Sequence, residues 1–246
     1  MMNYEIQIVS IEGNIGSGKS TLLANLKKHF SNNVNNYTEI VFLKEPVDEW
    51  SKIKDEHGTT ILEKFYADQE KYSFPFQMMA YISRLNLLKE AVTNVKDKMK
   101  KIYEKHGDYS MKLKTIIITE RSLITDKMVF AKMLYDSGKI ESINYQIYLN
   151  WFNSFSEEFK INKIIYVNAE PNVCHERIGK RQREGEDKIH LDYLTTCHNY
   201  HVNMLDTTLT ECACHYQLVL NGNIDIHENS YILNEWISSI EQFIYN

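Results

Sequence analysis

Short apolar runs alternate along this chain with longer stretches of helical period. Five runs, at residues 6–11, 40–43, 115–119, 164–167 and 217–220, are rich in Ile and Val and apolar on both faces. That is the pattern of buried parallel strands. Helical stretches are predicted at 19–30, 74–104, 125–137, 144–158 and 191–209, and 228–245 closes the chain. The β-α-β alternation predicts an α/β fold: a five-stranded, mainly parallel sheet flanked by helices on both faces. The charged stretch 98–114, with His106-Gly107-Asp108, reads as a loop. The strand after it belongs to the same sheet, so one domain is expected over 1–246. Sheets of this kind bind ligands at the carboxyl ends of their strands.

Composition narrows the classes. Of 246 residues, 43% are hydrophobic and 25% charged, enough for a sizeable core. Only 3 prolines and 9 glycines interrupt it, which favours long helices. A formal net charge of −5 argues against a protein that wraps a nucleic-acid backbone, but allows a small anionic ligand met by local positive charge. Cys174, Cys197, Cys212 and Cys214 suggest no disulfide framework and a reduced compartment. Cys212, Cys214 and His215 lack the usual zinc spacing and read as structural or incidental. The start of the chain shows no targeting pattern, and no apolar run is long enough for a bilayer, so a cytoplasmic location and no membrane partner are expected.

The strongest motif is Gly13-Asn14-Ile15-Gly16-Ser17-Gly18-Lys19-Ser20, which matches G-x-x-x-x-G-K-[ST] between a predicted strand and a predicted helix. Glycines let backbone N–H groups turn toward phosphate oxygens, and the helix N-terminus adds positive dipole. Lys19 can bridge β and γ phosphates, and the Ser20 hydroxyl can hold Mg²⁺. Thr21 follows on the first helical turn. The motif reads as an ATP cradle. A switch GTPase fits less well, because Asp55-Glu56-His57-Gly58 follows no apolar strand and no N-K-x-D guanine reader exists.

Two carboxylates fall at strand ends. Glu45, in Leu43-Lys44-Glu45-Pro46-Val47, ends the second strand and could take a proton from an attacking hydroxyl. Its competing reading is a surface residue capping a turn. Glu120, in Glu120-Arg121-Ser122, ends the third strand and could hold Mg²⁺ directly or through water. Arg121 could orient Glu45 and neutralise charge near the transferred group; otherwise it makes a buried ion pair. Arg177, Arg181 and Arg183, between Glu176 and Glu186, read as an arginine-bearing lid over about 177–187 that meets growing phosphoryl charge. The competing reading is a solvated charge run.

Taken together these segments resemble the deoxynucleoside kinase family, the deoxycytidine and deoxyguanosine kinases most closely, with the P-loop kinase fold. The resemblance runs from Ile11-Glu12-Gly13-Asn14-Ile15 through Glu45-Pro46-Val47, Ser73-Phe74-Pro75-Phe76-Gln77 and Ile82-Ser83-Arg84 to Glu120-Arg121-Ser122, Asp126 and Phe130. It ends with Ile164-Ile165-Tyr166-Val167, the lid arginines and Tyr193. It implies ATP and Mg²⁺ as cofactors, a deoxynucleoside acceptor in nucleotide salvage, and a homodimer built through helices. It implies Glu45 as general base with Arg121 beside it, and Arg177 and Arg181 on the ATP phosphates. Gln77 would read the base edge between Phe76 and Phe130. Tyr66 and Glu186 would hold the sugar 3′-hydroxyl, and Arg84 with Asp126 would form a polar pair deep in the base pocket. Gln77, Ala80 and Arg84 are spaced to share one helix face. Phe65 departs from the medium-sized apolar residue of many relatives, which points to a tighter cavity near the sugar. An aspartate beside an arginine is expected to stay ionised and to favour cytosine or a purine over thymine.

Two other readings remain at this stage. A thymidylate-type nucleotide kinase would favour arginine over a lone carboxylate at position 45. A non-catalytic nucleotide-binding switch would need no base, metal acid or lid.

Overall fold

The computed structural model describes residues 4–32, 38–106, 113–181, 183 and 185–246. Among them, five strands form one sheet: β1 (Tyr4–Glu12), β2 (Thr38–Leu43), β3 (Leu113–Glu120), β4 (Lys163–Asn168) and β5 (Gln217–Asn221). The order across the sheet is β2-β3-β1-β4-β5, and every pairing is parallel. β1 lies at the centre, with Ile8 opposite Ile117 and Ile11 opposite Ile165.

Period-two alternation sends neighbouring residues to opposite layers. Val9, Ile11, Ile116, Ile118, Ile165 and Val167 face one side, where they pack against α1 (Lys19–Asn32) and α10 (Ser230–Tyr245) through Leu22, Leu26, Ile240 and Ile244. Ile8 and Ile117 face the other, against α4 (Gln69–His106) and α7 (Ser142–Phe155) through Tyr81, Leu88, Tyr148 and Phe152. Ile164 and Tyr166 on that face meet Val129 and the end of α9 (Leu191–Leu205) at Met204 and Leu205. Both faces of β3 and β4 are buried, which is why residues 116–118 and 164–167 read as unbroken apolar runs, whereas β2 is half-buried and Val219 of the edge strand β5 is exposed.

Several boundaries differ from the expectation. The long helix starts at Gln69 and contains Pro75, whereas the sequence reading begins it at Phe74. The helix also continues to His106, so 98–106 is helical and not loop; residues 107–112 lie outside the described residues. Two helices escaped the periodicity, being about one or two turns long: α2 (Val47–Trp50) and α3 (Ile61–Ala67). Thr60 and Glu63 form a capping box at the start of α3, a local signal that was present in the sequence. The predicted helix at 125–137 is three pieces: α5 (Leu123–Thr125), a π-helical turn Asp126–Ala131 and α6 (Lys132–Asp136). A further helix, α8 (Pro171–Arg181), leads into the arginine segment, of which Gln182 and Glu184 lie outside the described residues. No helix among the described residues is long and apolar enough to cross a membrane.

Candidate active site

The carboxyl ends of β1, β2 and β3 open on a cleft of about 500 Å³. One end is lined by Gly16–Thr21, Arg177 and Ile224–His227, the other by Trp50, Phe76, Gln77 and Asp126, with Glu45, Glu120 and Arg121 between.

The loop from β1 into α1 wraps one end. Gly13, Gly16 and Gly18 have φ of 146°, 81° and 102°. A Cβ on Gly13 would come within 2.6 Å of the Val167 carbonyl oxygen, so both backbone conformation and space demand glycine there. Asn14 anchors the loop by donating from Nδ2 to the Leu194 carbonyl on α9 at 2.8 Å. Ile15 packs against Cys174 and Ile178 of α8. Lys19 is buried and donates to the Asn14 carbonyl at 2.6 Å. Burial, and then the charge of Arg121, lower its pKa to about 7. The site therefore holds Lys19 where an anion would be needed to restore its full charge.

Glu120, buried at the end of β3, accepts a hydrogen bond from the Ser20 hydroxyl and another from the Glu45 N–H at 3.4 Å. The next residue, Arg121, is the only non-glycine at positive φ among the described residues (62°). Such a conformation costs on the order of 1–3 kcal/mol. It turns the guanidinium back across the strand ends, where Nη1 donates to the Gly13 carbonyl at 2.9 Å and Nε lies 3.2 Å from Glu45. Ser122 caps the short helix that follows by accepting from the Thr125 N–H.

Arg84 reaches the same carboxylate from α4. Its Nη2 donates to Glu45 at 3.0 Å, Nε to Asp126 at 2.9 Å, and Nη1 to the Glu120 carbonyl at 2.8 Å. The sequence reading paired Arg84 with Asp126 alone; the structure also ties it to Glu45. Three of its five N–H donors are thereby engaged. Burial alone would raise the Glu45 pKa, but Arg121 and Arg84 outweigh it and bring it down to about 2. At Asp126 the balance reverses. Burial raises its carboxyl to about 6 despite Arg84, so it does not stay as firmly ionised as its neighbour suggests. Arg84 itself is held charged by Asp126 and Glu45 against the cost of its burial.

Aromatic residues shape the far end. Phe76 is stacked on Phe65, ring centres 4.5 Å apart, and meets Trp50 edge-on at 5.5 Å. Phe65 therefore backs the Phe76 wall. Phe130 lies under the Arg121 guanidinium at 4.9 Å. Gln77 is buried, with an Oε1 that has no partner. An orphaned amide oxygen in a polar-ended cavity calls for a donor from a ligand.

The arginine segment closes the cleft beside α3. Arg181 grips Glu186 with Nε at 2.7 Å and Nη2 at 2.6 Å, and Arg183 reaches it at 3.3 Å. Gly185 adopts φ 83° against Glu63, which lets the chain bring Glu186 into the cleft. Tyr66, from α3, lines the same region; burial and the charge of Glu186 raise its hydroxyl pKa, so it remains a protonated donor. Arg177 braces the Gly222 carbonyl at 2.7 Å and lies 3.5 Å from the Ser17 carbonyl.

Sequence reasoning did not pick out Trp50, His201, Trp236 or the Ile224–His227 turn. Only Trp50 had a nearby signal, following Glu45-Pro46-Val47. Cys212 and Cys214 turn their thiols to backbone carbonyls, and no group of His, Cys, Asp and Glu suited to a metal exists among the described residues.

A phosphate-binding loop at the central strand, carboxylates at the ends of β3 and β2 on one side of it, and an arginine-bearing segment define a P-loop phosphotransferase. The sequence model of the deoxynucleoside kinases matches residues 9–245, and the chain belongs to that family. A probable deoxycytidine kinase of fowlpox virus is 30% identical over 239 residues, covering 96% of this chain and 87% of the viral protein. Human deoxycytidine kinase is 30% identical over 241 residues, 91% of this chain and 85% of its own. The mitochondrial deoxyguanosine kinase of Xenopus laevis is 28% identical over 263 residues, 98% of this chain and 92% of its own.

Proposed function

We propose that this enzyme transfers the γ-phosphoryl group of ATP to the 5′-hydroxyl of deoxycytidine or a purine deoxynucleoside, in nucleotide salvage. The observation that carries the reading is Glu45: a carboxylate kept ionised between two guanidinium groups, in the same cleft as the phosphate loop. With a pKa of about 2 it is a weak base. A weak base suits a loose phosphoryl-transfer transition state, in which the acceptor hydroxyl loses its proton late.

The N–H groups of residues 13–20 would cradle the ATP phosphates, with Lys19 regaining full charge against them. The Thr21 hydroxyl lies beside the cradle, 3.4 Å from His227. Arg177, Arg181 and Arg183 would supply positive charge from the lid. Ser20 and Glu120, an all-oxygen pair already in contact, would hold Mg²⁺, which suits that hard cation. When bound, the ion would neutralise phosphate charge. Arg121 would orient Glu45 and face the transferred group.

On the acceptor side, Tyr66 and Glu186 would take the sugar 3′-hydroxyl. Phe76, backed by Phe65, and Phe130 would enclose the base, and the free Oε1 of Gln77 would accept from its edge. Asp126 would accept from an exocyclic amino group, while the two remaining Arg84 donors would meet ring acceptors. Thymine offers no such amino group and adds a methyl. The catalytic unit would span 1–246 and act in the cytoplasm as a homodimer. Ile143, Ile147, Trp151 and Phe155, four residues apart on α7 and all exposed, support pairing through helices.

The test is an acceptor panel. Purified protein is incubated with γ-labelled ATP, Mg²⁺ and each nucleoside or nucleoside monophosphate in turn. Labelled deoxycytidine or deoxypurine monophosphate is expected, with thymidine a poor acceptor. Preferential labelling of thymidylate, or ATP hydrolysis without transfer, would overturn the reading.

A further inference from the structure

We infer that His201, on α9, is a positioning residue that sets the Arg121 guanidinium for phosphoryl transfer; this rests on the role proposed for Arg121. His201 is completely buried, and a buried polar ring needs hydrogen-bond partners for its nitrogens. Its Nδ1 lies 2.7 Å from the Cys197 carbonyl oxygen, which can only accept, so Nδ1 carries the hydrogen. Nε2 is then a bare acceptor, and it lies 3.4 Å from Nη1 of Arg121. The ring is held in place by neighbours. It lies nearly parallel to Tyr166 (17°, 6.4 Å) and perpendicular to Phe130 (88°, 6.2 Å). Phe130 in turn supports the face of the same guanidinium.

Arg121 needs such support. Its backbone is in the left-handed region, where an ordinary side chain pays a steric penalty, and its guanidinium is shared among three acceptors: Glu45, the Gly13 carbonyl and His201. Two of these belong to the reacting end of the cleft, and either could draw the group out of place when substrates bind. A neutral imidazole fixed by its own backbone bond supplies an acceptor that moves with neither. Burial, with the charge of Arg121 next, keeps His201 neutral by driving its pKa well below the usual value. α9 therefore braces both halves of the centre, holding Asn14 of the phosphate loop through the Leu194 carbonyl and Arg121 through His201.

The test uses the intact enzyme in a double-mutant cycle. His201→Phe keeps the packed ring and removes the acceptor; His201→Gln restores an acceptor oxygen near the Nε2 position. The expected result is a kcat about ten- to a hundredfold lower for His201→Phe, with nucleoside and ATP KM within about threefold of wild type, and substantial recovery in His201→Gln. Arg121→Lys, which has no Nη1, should itself lose activity, and adding His201→Phe to it should cost little more. Full activity of Arg121→Lys would overturn the reading of Arg121. Loss in Arg121→Lys with wild-type kcat in His201→Phe, or equal and additive losses, would overturn the role of His201 alone. Should His201→Phe fail to fold, nitrogen NMR of the wild-type protein at pH 7 still decides: a hydrogen on Nδ1 alone supports the inference, and one on Nε2 overturns it.

Discussion

At the acceptor end of the cleft the side chains of Arg84 and Arg121 are 5% and 4% exposed, while at the lid those of Arg181 and Arg183 are 32% and 37% exposed. Both pairs hold a carboxylate, Glu45 in one case and Glu186 in the other. Their energetics differ. Removing one partner of a buried ion pair typically costs about 3–5 kcal/mol, because a charge is left without water or compensation. A pair with one member well solvated is worth much less and is easily exchanged. The acceptor end is thus built to stay as it is, with its charges set before substrate arrives. The lid can release an arginine from Glu186 to a phosphate while the second arginine keeps that buried carboxylate paired.

The largest effect should come from the buried lysine of the phosphate loop. Lys19→Ala is expected to lower kcat by about 10³-fold while leaving the melting temperature near wild type, since the lysine serves phosphate charge and its close contact is the Asn14 carbonyl. Turnover near the wild-type rate would remove it from the chemistry. At the lid, Arg181→Ala should reduce kcat by about 10²-fold with a smaller change in nucleoside KM, because Arg183 still pairs Glu186. Equal losses in kcat and binding would make the lid a plain anion patch and erase the contrast.

A smaller effect concerns the base. Exchanging Arg84 for Met together with Asp126 for Ala should shift kcat/KM toward thymidine by about tenfold or more, read in competition with deoxycytidine. No shift would place the pair outside base selection. The smallest is a titration. As pH falls through about 6, Asp126 takes up a proton and loses its charge against Arg84, whereas Glu45 remains ionised until about 2. At saturating ATP, nucleoside kcat/KM should decline below about pH 6 in the wild type and stay level to about pH 5 in Asp126→Asn. The same decline in the variant would assign the titration to another group.

The difference between the two ends also governs what the sequence disclosed. The inner strands β3 and β4 were legible because both faces are buried, leaving runs such as residues 164–167 with no polar position to confuse the period; the edge strands β2 and β5, half-buried, were legible from short apolar runs alone. The phosphate loop was legible because Gly13 and Gly16 are fixed by sterics that no other residue meets. The buried charge cluster was only half legible. Glu45, Glu120 and Arg121 stand at strand ends, where position alone suggests a role. The reach of Arg84 from α4 to Glu45 crosses 39 residues of sequence and leaves no local trace. His201 was silent for the same reason: within α9 it looks like any helical histidine, and its acceptor role appears only when Arg121 turns back at positive φ. The start of α4 before Pro75 was missed because proline normally marks a first turn, while here it sits seven residues into the helix.

Whether Glu45 takes the acceptor proton is decided by Glu45→Gln, since the amide preserves shape and removes the base. Single-turnover transfer and ATP dissociation constants should be measured on the same preparation. Transfer should slow by about 10²–10⁴-fold with ATP affinity unchanged. Transfer at the wild-type rate, accompanied by weakened ATP binding, would contradict that role for Glu45.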